Sequence, residues 1–133
     1  MEFNILLMSH GDSAKAILSS SEMIVGKSDH IQAISLMPGM SVETLIDEAK
    51  RVLDSNTGET LIMTDLYGGT PSNVALMLTQ QYKVKVITGL NLAMLLETLI
   101  VRQNSDNESL DQILESLVTT AKDACRQVVL EER

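Results

Sequence analysis

The sequence predicts a small doubly wound α/β domain: an open parallel sheet with helices on both faces and a helix at the C-terminus. Two observations carry the prediction. Four short apolar or β-branched runs alternate with longer stretches of helical periodicity, and strands separated by helices become parallel neighbours through right-handed crossovers. The composition agrees, since 44% hydrophobic and 21% charged residues describe an ordinary globular chain. Its 133 residues suit one domain, 1–133, that buries about two-thirds of its unfolded surface.

The first strand is Phe3–Ser9, after which Ala14, Ile17, Leu18, Ile24 and Val25 recur at helical spacing. The second, Ile31–Met37, leads into a cleaner amphipathic stripe of Val42, Leu45, Ile46, Ala49, Val52 and Leu53. Asn56 and Gly58 mark a turn into the third strand, Thr60–Thr64. Thr70-Pro71 then reads as an N-cap followed by proline at the first helical position, opening a helix through about Gln80. Val84–Thr88 is the fourth strand, and Asn91 starts the helix behind it. Asn104–Asn107 is a polar loop. Leu110, Ile113, Leu114, Leu117, Val118, Ala121, Cys125 and Val128 form one stripe on a long final helix, with no obvious strand in that tail. Met63, Met77 and Met94 sit in apolar runs as core filler, and Cys125 reads as core too.

Several function classes fall away at this stage. A net charge of −8 and 2% aromatic residues disfavour nucleic acid, which needs clustered cations and stacking platforms. One cysteine cannot make an internal disulfide, which suits a reducing compartment. The start lacks a basic n-region, and no apolar run approaches the roughly 18 residues of a membrane span. A cytoplasmic protein is expected.

Ligands of open α/β sheets bind beyond the carboxyl ends of the strands, where the strand order reverses. The loops there are His10-Gly11-Asp12-Ser13, Pro38-Gly39-Met40, the run Asp65 to Asn73, and Gly89-Leu90-Asn91. If the first and third strands are neighbours, His10 faces Asp65. A carboxylate accepting from Nδ1–H fixes the tautomer, leaves a lone pair on Nε2 and stabilises the imidazolium formed when Nε2 attacks an electrophile. Gly11 turns the backbone after the histidine. Gly68 and Gly69 bring backbone N–H groups close, Thr70 adds a hydroxyl, and the helix N-terminus that includes Ser72 favours an anion, phosphate above all. The candidate catalytic residues are therefore His10, Asp65 and Thr70, and the candidate phosphate-binding residues are Gly11, Gly68, Gly69 and Ser72.

Each residue taken alone has a plainer explanation: a hydrogen-bonded surface histidine, a turn aspartate, a turn glycine pair, a helix start. His30, in a polar loop with no carboxylate turn of its own, is left in that plain class. The conjunction in two abutting loops is what points to phosphoryl acceptance. No histidine or cysteine stands at ligand spacing from His10, so neither a metal site nor a cofactor is expected. Ser9 does not make a hydrolase triad with His10, because successive strand residues point to opposite faces and no G-x-S-x-G elbow is present.

These same segments, NILLMSHGDSAKAIL, TDLYGGTPSNVA and VITGLNLAMLLETL, closely resemble the enzyme IIA domain of the mannose/fructose/sorbose family of the bacterial sugar phosphotransferase system. The likeness covers essentially the whole chain. It implies a sheet of order 2-1-3-4 and phosphorylation of His10 on Nε2 by the histidine-containing phosphocarrier protein. The group would pass to a IIB component, which serves the membrane permease IIC/IID. It further implies that Asp65 orients the histidine with the Thr70 hydroxyl beside it, and that the chain forms a homodimer, commonly with an exchanged edge strand. Sugar specificity would lie in the membrane partner. Tyr67 stands where some relatives carry tryptophan. Asp12 adds a carboxylate after the histidine turn that is expected to point away and cap the first helix. Met40, Leu66, Tyr67 and Leu92 are the expected apolar rim for protein partners. Two other readings stand beside this one. One is the phosphoryl-donor subunit of a dihydroxyacetone kinase, against which the GG-T-P-x-N turn argues. The other is a regulatory module in which His10 senses phosphorylation without relaying it.

Overall fold

The computed structural model describes residues 2–104 and 108–132. Strands β1 (Asn4–His10), β2 (Ile31–Leu36), β3 (Thr60–Thr64) and β4 (Val84–Thr88) form one sheet of order β2-β1-β3-β4, parallel throughout. Helices α1 (Ser13–Val25), α2 (Val42–Ser55), α3 (Thr70–Leu78), α4 (Leu92–Asn104) and α5 (Leu110–Asp123) alternate with the strands or follow them. The predicted architecture and strand order are those observed, with β1 shifted one residue onward at both ends and β2 ending one residue sooner.

The central strands are apolar on both sides because helices cover both faces. Alternation along β1 sends Ile5 and Leu7 to one core and Leu6 and Met8 to the other. The first core joins them to Ala14 of α1, Met94, Leu95 and Leu99 of α4, and Ile113 and Leu117 of α5. The second joins Leu45 and Ala49 of α2 to Val74, Ala75 and Leu78 of α3. Each large side chain so buried contributes about 1.5–3 kcal/mol relative to exposure.

Several expectations about helix ends and core members are corrected. The final helix stops at Asp123 rather than running to Val128, and Cys125 and Val128 are exposed, not core. The amide of Asn91 donates to Ala121 O at 3.2 Å, the carbonyl that Cys125 N–H would need to continue the helix. Cys125 N–H turns to Lys122 O instead, and the chain leaves the helical path. Beyond it, a 3₁₀ turn covers Leu130–Glu132. Met77 is exposed because Val74, Ala75 and Leu78 present the inner face of α3, which leaves Leu76 and Met77 outward. The stripe of α1 likewise overshoots, for Ile24 and Val25 in its last turn are exposed. Of the predicted Asn104–Asn107 loop, Asn104 ends α4 and the remainder lies outside the described residues.

At the end of the sheet where β1 begins, Arg102 of α4 donates to Phe3 O (3.0 Å), His30 O (3.2 Å) and Asp29 O (2.6 Å). Its guanidinium also lies over the Phe3 ring. Burial pushes the Arg102 pKa down and Asp29 partly restores it. His30 itself is exposed, with φ at +59°, a conformation unusual for a side-chain-bearing residue. A depression of about 680 Å³ opens at this end, lined by Asn4, Lys27, His30 and Arg102 among others.

Candidate functional site

The opposite end carries the candidate chemistry. The strand order reverses between β1 and β3, and Met8 pairs with Thr64 across that junction. His10 lies two residues beyond Met8 and Asp65 one beyond Thr64, so both leave the sheet at the same lip. The His10 N–H donates to Asp65 Oδ2 at 2.9 Å, and Nδ1 lies 2.9 Å from the same oxygen. A carboxylate only accepts, so Nδ1 carries the hydrogen, and in the neutral ring Nε2 keeps its lone pair. Two bonds to one oxygen fix the ring against its own backbone. Among the described residues Asp65 Oδ1 is buried with no hydrogen-bond partner, and the carboxylate's hydrogen bonds there go to His10. The histidine side chain is 46% exposed, enough for another protein's group to reach it.

Gly11, with φ at +59°, turns the chain straight after the histidine, and its N–H donates to Leu36 O on β2 at 2.8 Å. Ser9 points inward and is fully buried. Its hydroxyl donates to Gly11 O and accepts from Ala14 N–H, each at 2.9 Å. This hydroxyl therefore supplies the cap of α1 from four residues before its start. Asp12 occupies the N-cap position but makes no cap bond. Its carboxylate instead accepts from the Ser35 hydroxyl at 2.7 Å, which corrects the expectation that Asp12 caps the helix.

The loop after β3 wraps over the imidazole. Gly68 takes φ of +77° in the turn. Gly69 lies so close to the ring that a Cβ there would come 2.8 Å from His10 Cε1 and 3.4 Å from Nε2. Only hydrogen fits at that contact. Gly69 is also the N-cap of α3, so the expectation that Thr70 is the cap is corrected: Thr70 is the first helical residue, Pro71 follows it, and the helix closes at Leu78. Gly69 has the extended backbone (φ −76°, ψ 168°) usual for an N-cap, one residue earlier than Thr70-Pro71 suggests.

Gly69 N–H donates to Leu66 O at 3.1 Å and Asn73 N–H to Gly69 O at 3.0 Å. Thr70 and Ser72, as first and third helical residues, have N–H groups with no intrahelical acceptor. With the partial positive charge of the helix end they make an anion-favouring surface beside Nε2. The Ser72 hydroxyl is already engaged. It donates to Leu66 O at 2.6 Å and lies 2.6 Å from Thr64 Oγ1 and 3.1 Å from Thr88 Oγ1. Around the lip, Leu66 and Tyr67 are 59% and 87% exposed, whereas Met40 and Leu92 are half-buried. The sequence reading weighed Ser9 only as a triad member and missed its capping role, and Thr64 and Thr88 escaped it. Hydroxyls at the ends of three adjacent strands were the available signal.

Fold and site together define a parallel α/β protein with a carboxylate-bound histidine set against a helix N-terminus at its switch point. The family model described as "PTS system fructose IIA component" matches residues 4–118, and the chain belongs to that family. The chain is 34% identical over 86% of its length to the sorbose-specific EIIA component of Lacticaseibacillus casei, covering 82% of that protein. It is 32% identical over 95% of its length to the mannose-specific EIIAB component of Escherichia coli strain K12, of which it spans 39%. The crystal structure of the phosphotransferase system component EIIA from Streptococcus agalactiae superimposes with a TM-score of 0.87 at 32% identity, covering 99% of this chain and 100% of that one.

Proposed function

We propose that this chain is a cytoplasmic phosphohistidine carrier for sugar uptake. It accepts a phosphoryl group on His10 Nε2 from the histidine-containing phosphocarrier protein and delivers it to a IIB component, which serves a membrane permease. One observation carries the reading: Asp65 Oδ2 holds both the His10 N–H and Nδ1, which leaves Nε2 as the free nucleophile beside the start of α3.

In the transfer, the Nε2 lone pair forms a bond to phosphorus as the donor's N–P bond breaks, and the donor imidazole keeps that electron pair. His10 retains its Nδ1 proton throughout. The resulting phospho-imidazolium is stabilised by the Asp65 carboxylate. The N–H groups of Thr70 and Ser72 and the Thr70 hydroxyl donate to the phosphoryl oxygens as charge builds on them, while Gly11, Gly68 and Gly69 let the backbone approach. The reverse transfer uses the same contacts, so the phosphohistidine stays reactive. Leu66 and Tyr67, exposed beside the histidine, form the rim for transient protein partners, with Met40 and Leu92 behind them.

The carrier works as a homodimer in this reading. Among the described residues β4 has β3 as its one neighbour, and Val128 and Leu130 are exposed beyond α5. A second copy would cover both. Sedimentation equilibrium is expected to give twice the chain mass.

The function is tested with phosphoenolpyruvate, enzyme I and the histidine phosphocarrier, followed by intact-mass analysis. The wild type is expected to gain one acid-labile phosphoryl group and His10→Ala none. Label persisting in His10→Ala would move the acceptor elsewhere. Subsequent transfer to a IIB component separates the carrier from a module that holds the group without relaying it.

A further inference from the structure

We infer that Ser72, anchored by Thr64 and Thr88, is a positioning residue that holds the histidine-facing turn in place for phosphoryl transfer; this rests on the carrier function proposed above. Thr64 and Thr88 are the last residues of β3 and β4 and pair in register. Their hydroxyls lie 3.0 Å apart. Ser72 reaches back from the first turn of α3 to meet both. The three hydroxyls converge beneath the loop that covers His10.

Counting hydrogens shows which way the cluster acts. Four contacts join these hydroxyls to one another and to Leu66 O, yet only three hydroxyl hydrogens exist. Leu66 O can only accept, so the Ser72 hydrogen goes there. Thr64 donates to Thr88, and Thr88 can then donate into the Ser72 oxygen. The Ser72 hydrogen is thus aimed at the turn while its oxygen is held by the sheet.

Leu66 O also takes the Gly69 N–H, and Gly69 is the residue packed against the imidazole. A continuous path therefore runs from two strand ends through Ser72 and Leu66 O to Gly69 and the His10 ring. The Ser72 hydroxyl is committed to that path rather than pointing at the phosphoryl group. Its contribution to the cradle is its N–H, and its side chain sets where that cradle stands. Displacements of an ångström in such a cradle cost transfer rate without altering partner binding.

The test measures kcat and KM for phosphorylation by the phosphorylated histidine phosphocarrier in wild type, Ser72→Ala, Thr88→Val and Thr88→Ser. Ser72→Ala is expected to lower kcat about tenfold with KM within about twofold, as befits an interaction that matters only in the transition state. Thr88→Val, which leaves Ser72 and its helix intact, should lower kcat in the same direction, and Thr88→Ser should restore it. Amide hydrogen exchange at Gly69 should quicken in Ser72→Ala. An unchanged kcat in Ser72→Ala, or a change confined to KM, would overturn the positioning role. A wild type that takes up no phosphoryl group would instead remove the carrier function itself, so the two failures are distinguishable.

Discussion

At the scale of single residues, the imidazole of His10 is defined by what touches its two nitrogens. Asp65 holds one, and Gly69 stands against the edge that carries the other. Asp65→Asn keeps the shape but loses the charge that would stabilise an imidazolium in the proposed transfer. A charge-assisted hydrogen bond of about 1.5–3 kcal/mol corresponds to a roughly 10- to 100-fold slower phosphorylation, measurable by rapid quench with the fold checked by circular dichroism. Gly69→Ala places a methyl 2.8 Å from Cε1, and the partly exposed ring must swing off Asp65 to relieve it. Phosphorylation is expected to fall about 100-fold while the urea midpoint moves little. A normal rate in Gly69→Ala would show that the contact is not part of the site. The histidine and the aspartate were legible in the sequence because a strand-end position gives both chemistry and place. Ser9 was not, since a serine at that point reads equally as strand filler, and only the fold reveals that it serves Gly11 O and Ala14 N–H together.

Elements show where local rules were overridden by tertiary contacts. Aspartate before a helix is a strong capping signal, yet Ser35 on the neighbouring strand takes the Asp12 carboxylate and Ser9 performs the capping. Ser9→Ala should therefore cost about 1–3 kcal/mol in urea unfolding, since it strips a buried N–H of its acceptor and a carbonyl of its donor. A cost near zero would mean that Ala14 N–H finds another acceptor. The end of α5 was misread for a related reason. Its apolar period continues to Cys125 and Val128, but an asparagine 30 residues earlier in the chain claims the carbonyl the helix needs. Periodicity reports which face is apolar. It does not report where a competing hydrogen bond stops the helix.

For the whole molecule, the strand order was accessible because four runs with helical crossovers leave few parallel arrangements, and the family resemblance selected one of them. What it yields is a separation of duties along the sheet. Arg102 ties α4 to the chain entering β1 and β2, whereas His10 lies at the far end of β1, six residues onward from Asn4 and about 20 Å away. Arg102→Met keeps the stem but removes three donations to backbone carbonyls. It is expected to lower stability by about 2–3 kcal/mol at neutral pH and leave the phosphorylation rate of the folded fraction unchanged. A rate that fell with stability would show that the two ends are coupled. The central claim, that Asp65 reserves Nδ1 and so directs phosphorus to the other nitrogen, is tested most directly by ¹⁵N and ³¹P NMR of the phosphorylated protein with labelled histidine. The account predicts phosphorus bonded to His10 Nε2 and a hydrogen retained on Nδ1; phosphorus on Nδ1, or on any other residue, would contradict it.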